Sequence, residues 1–544
     1  MAKNVRGAIL EIYDIIIRNG SVIDGTGSPP STTDLAIRDD RIAAMGDLRE
    51  CHAGREINAA GLRVAPGFVD IHTHSDISVT FHPQMESMLA QGVTTQVVGN
   101  CSLCLGLATD AEVFAFEKRW LGVHGKRIVW NTLAGHLRYV EDHGVGTNYV
   151  MLAGQGTLRK RVMGLDKRPP TAAEMDAMKR LLAQAMEEGA WGISTGLEYS
   201  PSGYADIDEL VELSRVAAAA GGIYATHLRN EGDRLVEAVE EALAIGERAS
   251  IPVQLSHHKA EGPRNWGKVR TTLSMVEEAR ARGLDVQLDQ YPYTAFQTSM
   301  AVQFLPAWVT VGDNDTILAR LADPDQRSRI AEEMVAAHPD WAELGPDTPW
   351  ERVRVSSCRI HREYQGRTIA ELARERGADP IDTVLQIILD ERNFVSAVNF
   401  ALCEEDVEFV MKHPLVMIGS DAVGTSPYGR TGEDRVHPRC YGTFPRVLGR
   451  YVRQRHTLDE AEAIRKMTSL PASRLKIRDR GRLAPGAYAD IVVYNPHTVE
   501  DRADFEHPHR FAKGIEIVLV NGRVAWEGGH ATPVLAGRVL RRGC

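Results

Sequence analysis

At 544 residues the chain is too long for one small domain and suits a large barrel with one accessory domain. Apolar residues at 43% and charged residues at 25% are ordinary for a globular chain and exclude disordered, collagen-like and coiled-coil architectures. A net charge of −10 leaves no basic footprint for nucleic acid or anionic lipid.

In chain order, the first segment reads as short strands. Ile15 to Arg18, Ser21 to Asp24 and Asp34 to Arg38 are apolar or alternating, and Gly20, Gly25, Gly27, Pro29 and Pro30 separate them. Ile15-Ile16-Ile17, flanked by Asp14 and Arg18, is too short for a membrane span or a signal-peptide core, so neither is expected. The middle alternates strands with amphipathic helices. Strands are expected at Phe68 to His72, Thr94 to Asn100, Tyr149 to Gly154, Trp191 to Thr195, Ile223 to His227, Val253 to His257, Asp285 to Asp289 and Val416 to Ser420. Helical spacing marks Ala172 to Glu188, Leu235 to Ile245 and Val269 to Ala281. The irregular stretch from about 300 to 414 carries helical runs at Thr316 to Leu321 and Thr368 to Glu375 and reads as an insertion before the last strand. The last segment is again β-rich: Ala489 to Tyr494, then Ile515 to Val520, with Asn521-Gly522 as the hairpin turn into Arg523 to Trp526. The arginines at 538, 541 and 542 read as a solvated tail.

Eight strand signals alternating with helices predict an α/β fold, a (β/α)8 TIM-like barrel in preference to an open sheet, with a doubly wound sheet as the alternative the same pattern allows. Both termini would build one small β-sandwich domain. The expected division is 1–64 and 481–544 for that domain and 65–480 for the barrel with its insertion. The seven cysteines, at 51, 101, 104, 358, 403, 440 and 544, are few and odd in number, which predicts reduced thiols and a cytoplasmic location.

The chemistry-bearing residues fall at strand ends. In a strand, Asp70, His72 and His74 share a face, and two imidazoles so spaced bite one metal ion. Cys101, His227, His257 and Asp421 each end a predicted strand, and in a barrel those ends converge on one mouth. A thiolate, two imidazoles and a nearby carboxylate form a zinc-type set with a position open to water. Cys101 and Cys104 also have redox spacing, but no thioredoxin-like βαβ unit surrounds them, and Cys104 reads as a buried thiol. Neighbours on a strand face opposite ways, so only one of His257 and His258 should ligate. His413, His437, His507 and His509 read as surface or turn residues.

The run Gly67-Phe-Val-Asp-Ile-His-Thr-His74 resembles the opening barrel strand of the amidohydrolase superfamily, and Ala489-Asp-Ile-Val-Val-Tyr494 its β-domain. Gly99-Asn-Cys101, Gly196-Leu-Glu-Tyr199, Thr226-His227, Ser256-His-His-Lys259, Tyr291-Pro-Tyr293, Gly419-Ser-Asp421 and His437-Pro-Arg439 look like the D-aminoacylase branch, the N-acyl-D-amino-acid deacylases. The resemblance runs in order from about residue 12 to 526. It implies zinc-dependent hydrolysis of N-acyl-D-amino acids to a carboxylate and a free D-amino acid. Cys101, His227 and His257 would hold one tight Zn2+, and His72 and His74 a weaker second site. Asp421 would be general base and acid, and Lys259, Tyr291 and Arg439 would bind the substrate carboxylate, which suits cationic and hydroxyl donors.

Three positions depart from that pattern. Ser75 stands where an acidic residue is usual, Ala422 where glycine is, and Gln297 near where a small hydroxyl residue completes the carboxylate pocket. The stretch 423–436 is also longer than in short members. Two other readings compete. A hydantoinase- or dihydroorotase-like cyclic-amide hydrolase would bridge two metals with a fourth-strand lysine, but Trp191 to Tyr199 has none, and Glu198 is expected only in the pocket. A non-catalytic barrel scaffold would have lost ligands, whereas every expected position is filled.

Overall fold

A computed structural model of the chain describes residues 12–113, 115–338 and 349–542. The molecule is an α/β protein whose strands form one mixed nine-stranded sheet, two parallel sheets and a small antiparallel sheet. In one parallel sheet Val93–Val98 lies between Phe68–Asp70 and Asn148–Met151. The other runs, in spatial order, Val416–Ile418, Val286–Gln290, Val253–Leu255, Ile223–His227, Gly192–Gly196 and Ala153–Gly154. Only Leu152 separates the two sheets along the chain, and its N–H donates to Val98. At the other end Thr73 pairs with Ala422 in a parallel bridge.

These strands are short apolar runs because both faces are covered, and every residue of Val93–Val98 and Ile223–His227 is buried. Helices pack against them with one apolar stripe each. In Ala172–Glu187, Met178, Leu182, Ala185 and Met186 are buried, and Thr171 with Glu174 closes a capping box at its start. All eight expected strand regions are found, within a few residues of their expected ends. The consequential difference is at their C-terminal ends: Phe68–Asp70 stops before His72, Val93–Val98 before Cys101, Val253–Leu255 before His257 and Val416–Ile418 before Asp421. His72, Cys101, His257 and Asp421 therefore lie on turns just beyond their strands, whereas His227 is the last residue of Ile223–His227.

The mixed sheet joins the two ends of the chain, because Arg63–Pro66 pairs with Ile491–Tyr494. Ile12–Val22 is one strand where two were expected. The break at Gly20 is a bulge, with register shifting between Ile17 and Gly20 and Asn19 at a φ of 59°. Ile15 and Ile17 face one apolar cluster and Ile16 another, so both faces of this strand are buried. The basic C-terminus is not a solvated tail. Tyr149 donates its N–H to Arg538 and accepts from Leu540, while Arg541 pairs with Glu141. Cys544 lies outside the described residues.

The insertion has its own core, including Trp350, Val355, Ile381, Ile388 and Ala397. Its helices Asn314–Ala322 and Ile369–Arg376 match the expected runs, but the sheet of Phe296–Ser299, Ser396–Asn399 and Val353–Ser357 was not anticipated. Residues 339–348 of the insertion lie outside the described residues. Among the described residues, no helix is long and apolar enough to cross a membrane.

Candidate metal centre

Because the strands are parallel, the turns after them gather at one edge. The Cys101 sulfur lies 3.9 Å from His227 Nδ1 and 3.6 Å from His257 Nε2, and those two nitrogens are 2.9 Å apart. Zinc bonds of about 2.0–2.3 Å in a tetrahedron put donors roughly 3.3–3.6 Å apart, so this set fits one cation. His72 Nε2 sits between the sulfur, at 3.4 Å, and Asp421 Oδ1, at 3.5 Å. His74 Nε2 lies 3.1 Å from the same Asp421 oxygen. His72, His74 and Asp421 are thus a second group of donors beside the first.

Local backbone geometry makes this convergence possible. Cys101, His257 and Asp421 take φ values of 51°, 34° and 52°, in the left-handed region that ordinary residues avoid. Gly99, at a φ of 75°, passes so near Leu152 that a Cβ would come within 2.3 Å of its carbonyl oxygen. Gly196 passes Cys101 in the same way, since a Cβ there would lie 2.4 Å from the Cys101 carbonyl. The Gly-Asn-Cys and Gly-Leu-Glu-Tyr elements therefore fit against each other only through glycine. His72 and His74 converge on Asp421 Oδ1 as expected, but not as alternate residues of a strand, because the strand ends at Asp70 and His74 occupies the N-cap position of the helix Ser75–Ser78.

Electrostatics favours the charged forms of Cys101, Asp421 and His74. Burial would raise the Cys101 thiol, but the imidazoles of His72, His227 and His257 hold it well below its ordinary value, as a thiolate. Burial likewise opposes an ionised Asp421, yet the Arg439 guanidinium, with Nη1 2.7 Å from Oδ2, and the neighbouring imidazoles keep its carboxyl well below the usual carboxylate range. Burial opposes charge on His74, but the bond to Asp421 and the Cys101 sulfur raise its imidazole to about 9. Cys104 is buried without such partners and its thiol is pushed up to about 12, which suits an inert thiol rather than a redox centre.

His257 turns into the site, while His258 is directed away to Thr272 Oγ1 at 2.8 Å. Tyr291 lies between two cations, with Lys259 Nζ 5.7 Å and the Arg439 guanidinium 5.0 Å from its ring centroid. Its buried hydroxyl has no hydrogen-bond partner among the described residues. Lys259 forms a short ion pair with Glu231 rather than standing free. Gln297 accepts from the His437 N–H at 2.8 Å and donates to Ser356, so it braces the turn that carries Arg439. Ser75 bonds Gln96 and the Gly424 N–H and is directed away from the metal donors.

Of the histidines expected on the surface or in turns, His437 proves to be buried. It is fully buried, bonds the Ala295 carbonyl through Nε2 at 3.0 Å and accepts the Arg439 N–H on Nδ1, because a buried imidazole needs a partner at each nitrogen. His413 and His509 are half-buried, beside Glu277 and Asp434 respectively. Three carboxylates at the site were not singled out as supports. Asp289 accepts the His257 N–H at 2.8 Å and faces His72 Nδ1 at 3.3 Å. Glu198 lies 3.2 Å from His227 Nε2, and Glu231 touches both His227 and His257. Asp289 ends a predicted strand as Asp421 does, so the same rule could have found it; Glu231, four residues after His227, gave no such signal.

The amidohydrolase family model matches residues 55–525. N-acyl-D-glutamate deacylase of Alcaligenes xylosoxydans xylosoxydans is 37% identical over 533 residues, covering 98% of this chain and 97% of the relative. D-aminoacylase of the same organism is 37% identical over 530 residues, covering 97% and 98%. Among solved structures, N-acyl-D-glutamate deacylase of Bordetella bronchiseptica, complexed with zinc and a phosphonate mimic of the tetrahedral intermediate, superposes with a TM-score of 0.81 at 34% identity, covering 98% of this chain and all of that one. Family model, relatives and fold agree: the chain belongs to the amidohydrolase family, in its D-aminoacylase branch.

Proposed function

We propose that the protein is a zinc-dependent hydrolase of N-acyl-D-amino acids. The observation that carries this reading is the meeting of Cys101, His227 and His257 donors within 3.9 Å of one another beside Asp421. Around it we propose a closed (β/α)8 barrel over 65–480, for which the Thr73–Ala422 bridge is the supporting contact, and a small β-sandwich domain of 1–64 and 481–544.

Cys101, His227 and His257 would hold the tight zinc, and His72 and His74, with Asp421, a weaker second ion. Zinc bound there lowers the pKa of a water towards about 7 and polarises the acyl carbonyl. The remaining steps belong to side chains. Asp421, ionised and partly open to solvent, accepts the water proton and later delivers it to the amide nitrogen as the C–N bond breaks, because an unprotonated amide anion leaves poorly. His74 and Arg439 orient the carboxylate for both transfers. Arg439 and the unpartnered Tyr291 hydroxyl receive the substrate α-carboxylate, with Lys259 completing the positive field around the ring.

A panel of N-acetyl D- and L-amino acids, assayed with defined zinc, tests the reading. Turnover of N-acetyl-D-methionine with about one zinc per chain is the expected result. Equal turnover of the L series, or a chain that takes up no zinc, overturns it.

A further inference from the structure

We infer that Glu231 is a positioning residue that sets the tautomer of the zinc-facing imidazoles, above all His257, with Lys259 as the counter-ion that holds it there. The inference rests on Cys101, His227 and His257 being the zinc set. A neutral imidazole offers a lone pair only from the nitrogen without hydrogen, and the partner of the other nitrogen decides which one that is.

His257 must offer Nε2, the nitrogen 3.6 Å from Cys101 Sγ and 2.9 Å from His227 Nδ1, so its Nδ1 has to carry the proton. Two groups of opposite character compete for that Nδ1. Glu231 Oε1, at 3.0 Å, can only accept, and Lys259 Nζ, at 3.1 Å, can only donate. If the ammonium donated to Nδ1, the imidazole proton would move to Nε2 and the lone pair facing the cysteine would be lost. Glu231 prevents this with its two oxygens: Oε1 takes the Nδ1–H, while Oε2 takes the ammonium in a short ion pair.

The second imidazole is oriented from the same side. His227 directs Nδ1 at the metal position and Nε2 at Glu198, 3.2 Å away, and at Glu231 Oε2, 3.7 Å away. Because Glu198 also serves His227, losing Glu231 falls mainly on His257. The Glu231 side chain is 1% exposed, so water cannot take over its part. Its backbone is tied down as well, since its carbonyl accepts the Glu261 N–H at 2.8 Å and joins the turn after His227 to the turn after His257. Lys259 is thus a partner of the metal set's supporting carboxylate, beyond any part it plays towards substrate.

Zinc affinity, measured on the full-length protein by competition with a chromophoric chelator, tests this without assaying hydrolysis. Glu231→Gln should lose roughly 10–100-fold in affinity, the usual effect of removing the partner of a ligating histidine. Adding Lys259→Met to Glu231→Gln should recover part of the loss, because the competing donor is gone; a merely structural Glu231 would not respond in this way. A Glu231→Gln affinity within about twofold of wild type, the ordinary additivity error, overturns the inference, as does a double variant that recovers nothing. Glu231→Asp keeps the charge but withdraws it by one methylene. It carries the same test if the Gln variant does not fold, and its affinity must also fall by more than about twofold. A wild-type chain that binds no zinc overturns both this inference and the reading beneath it, whereas normal wild-type binding with unaffected variants overturns this one alone.

Discussion

The side of the site that carries sulfur is more enclosed than the side that carries Asp421. The side chains of His227 and His257 are 6% and 3% exposed, and those of Asp421 and His74 are 11% and 18% exposed. The enclosed side is backed by carboxylates: Asp289 takes the backbone N–H of His257, and Glu198 and Glu231 face ring nitrogens of His227 and His257. The open side has charged groups that face one another, Asp421 with Arg439 and His74, and can exchange partners when substrate enters. Holding a cation demands rigid donors with settled tautomers. Moving a proton demands an accessible group whose partners can change. The division of exposure follows the division of labour.

Substitutions on the two sides should therefore fail differently. The largest effect on turnover is expected from Asp421→Asn, a fall on the order of 10²–10⁴-fold in kcat with zinc content unchanged, measured by steady-state assay and metal analysis. Retained turnover would refute the assignment of Asp421. Cys101→Ala should act through the metal instead: its zinc affinity should drop by more than the roughly 100-fold seen for supporting residues, and activity should return only in excess zinc.

Arg439→Ala should raise KM by about 10–100-fold, the loss of a charged hydrogen bond, while the melting temperature moves little. It should also shift the pH profile. As the proposed base Asp421 would act in its ionised form, and Arg439 helps to hold its carboxyl low, so the ionised form persists as pH falls in the wild type. Removing the guanidinium raises that pKa, and the acid limb of kcat/KM should move to higher pH; a limb that stays in place breaks the link between the two residues. The smallest effect is expected from Tyr291→Phe, about 2–10-fold in kcat/KM, because it deletes one neutral donor to the substrate carboxylate. An unchanged kcat/KM there would remove Tyr291 from the carboxylate site.

Much of this arrangement was legible in the chain itself. The β-strand positions followed from apolar runs bounded by turn residues, and Ile223–His227 was found at its predicted bounds. The nine site residues named from the sequence all lie in or immediately around the one centre: eight end or follow parallel strands, whose C-terminal ends share one edge, and Arg439 comes in on the helix Arg439–Arg446. What was misread has a common origin. His437 was taken for a surface or turn residue and the C-terminal arginines for a free tail, because contacts between segments more than 100 residues apart leave no local pattern. The insertion's antiparallel sheet was missed for the same reason: Phe296–Ser299 finds its partner at Ser396–Asn399.

The order of residues determined which groups are available for chemistry and that they lie at strand ends, because periodicity and turn chemistry act over a few residues. Only the tertiary structure decided how those groups pair. It set Cys101, His257 and Asp421 on left-handed turns beyond their strands, gave Lys259 to Glu231, and chose which nitrogen of each histidine faces the sulfur. Pairing depends on distances of 3–4 Å between distant segments, and those exist only once packing has excluded water and fixed the backbone.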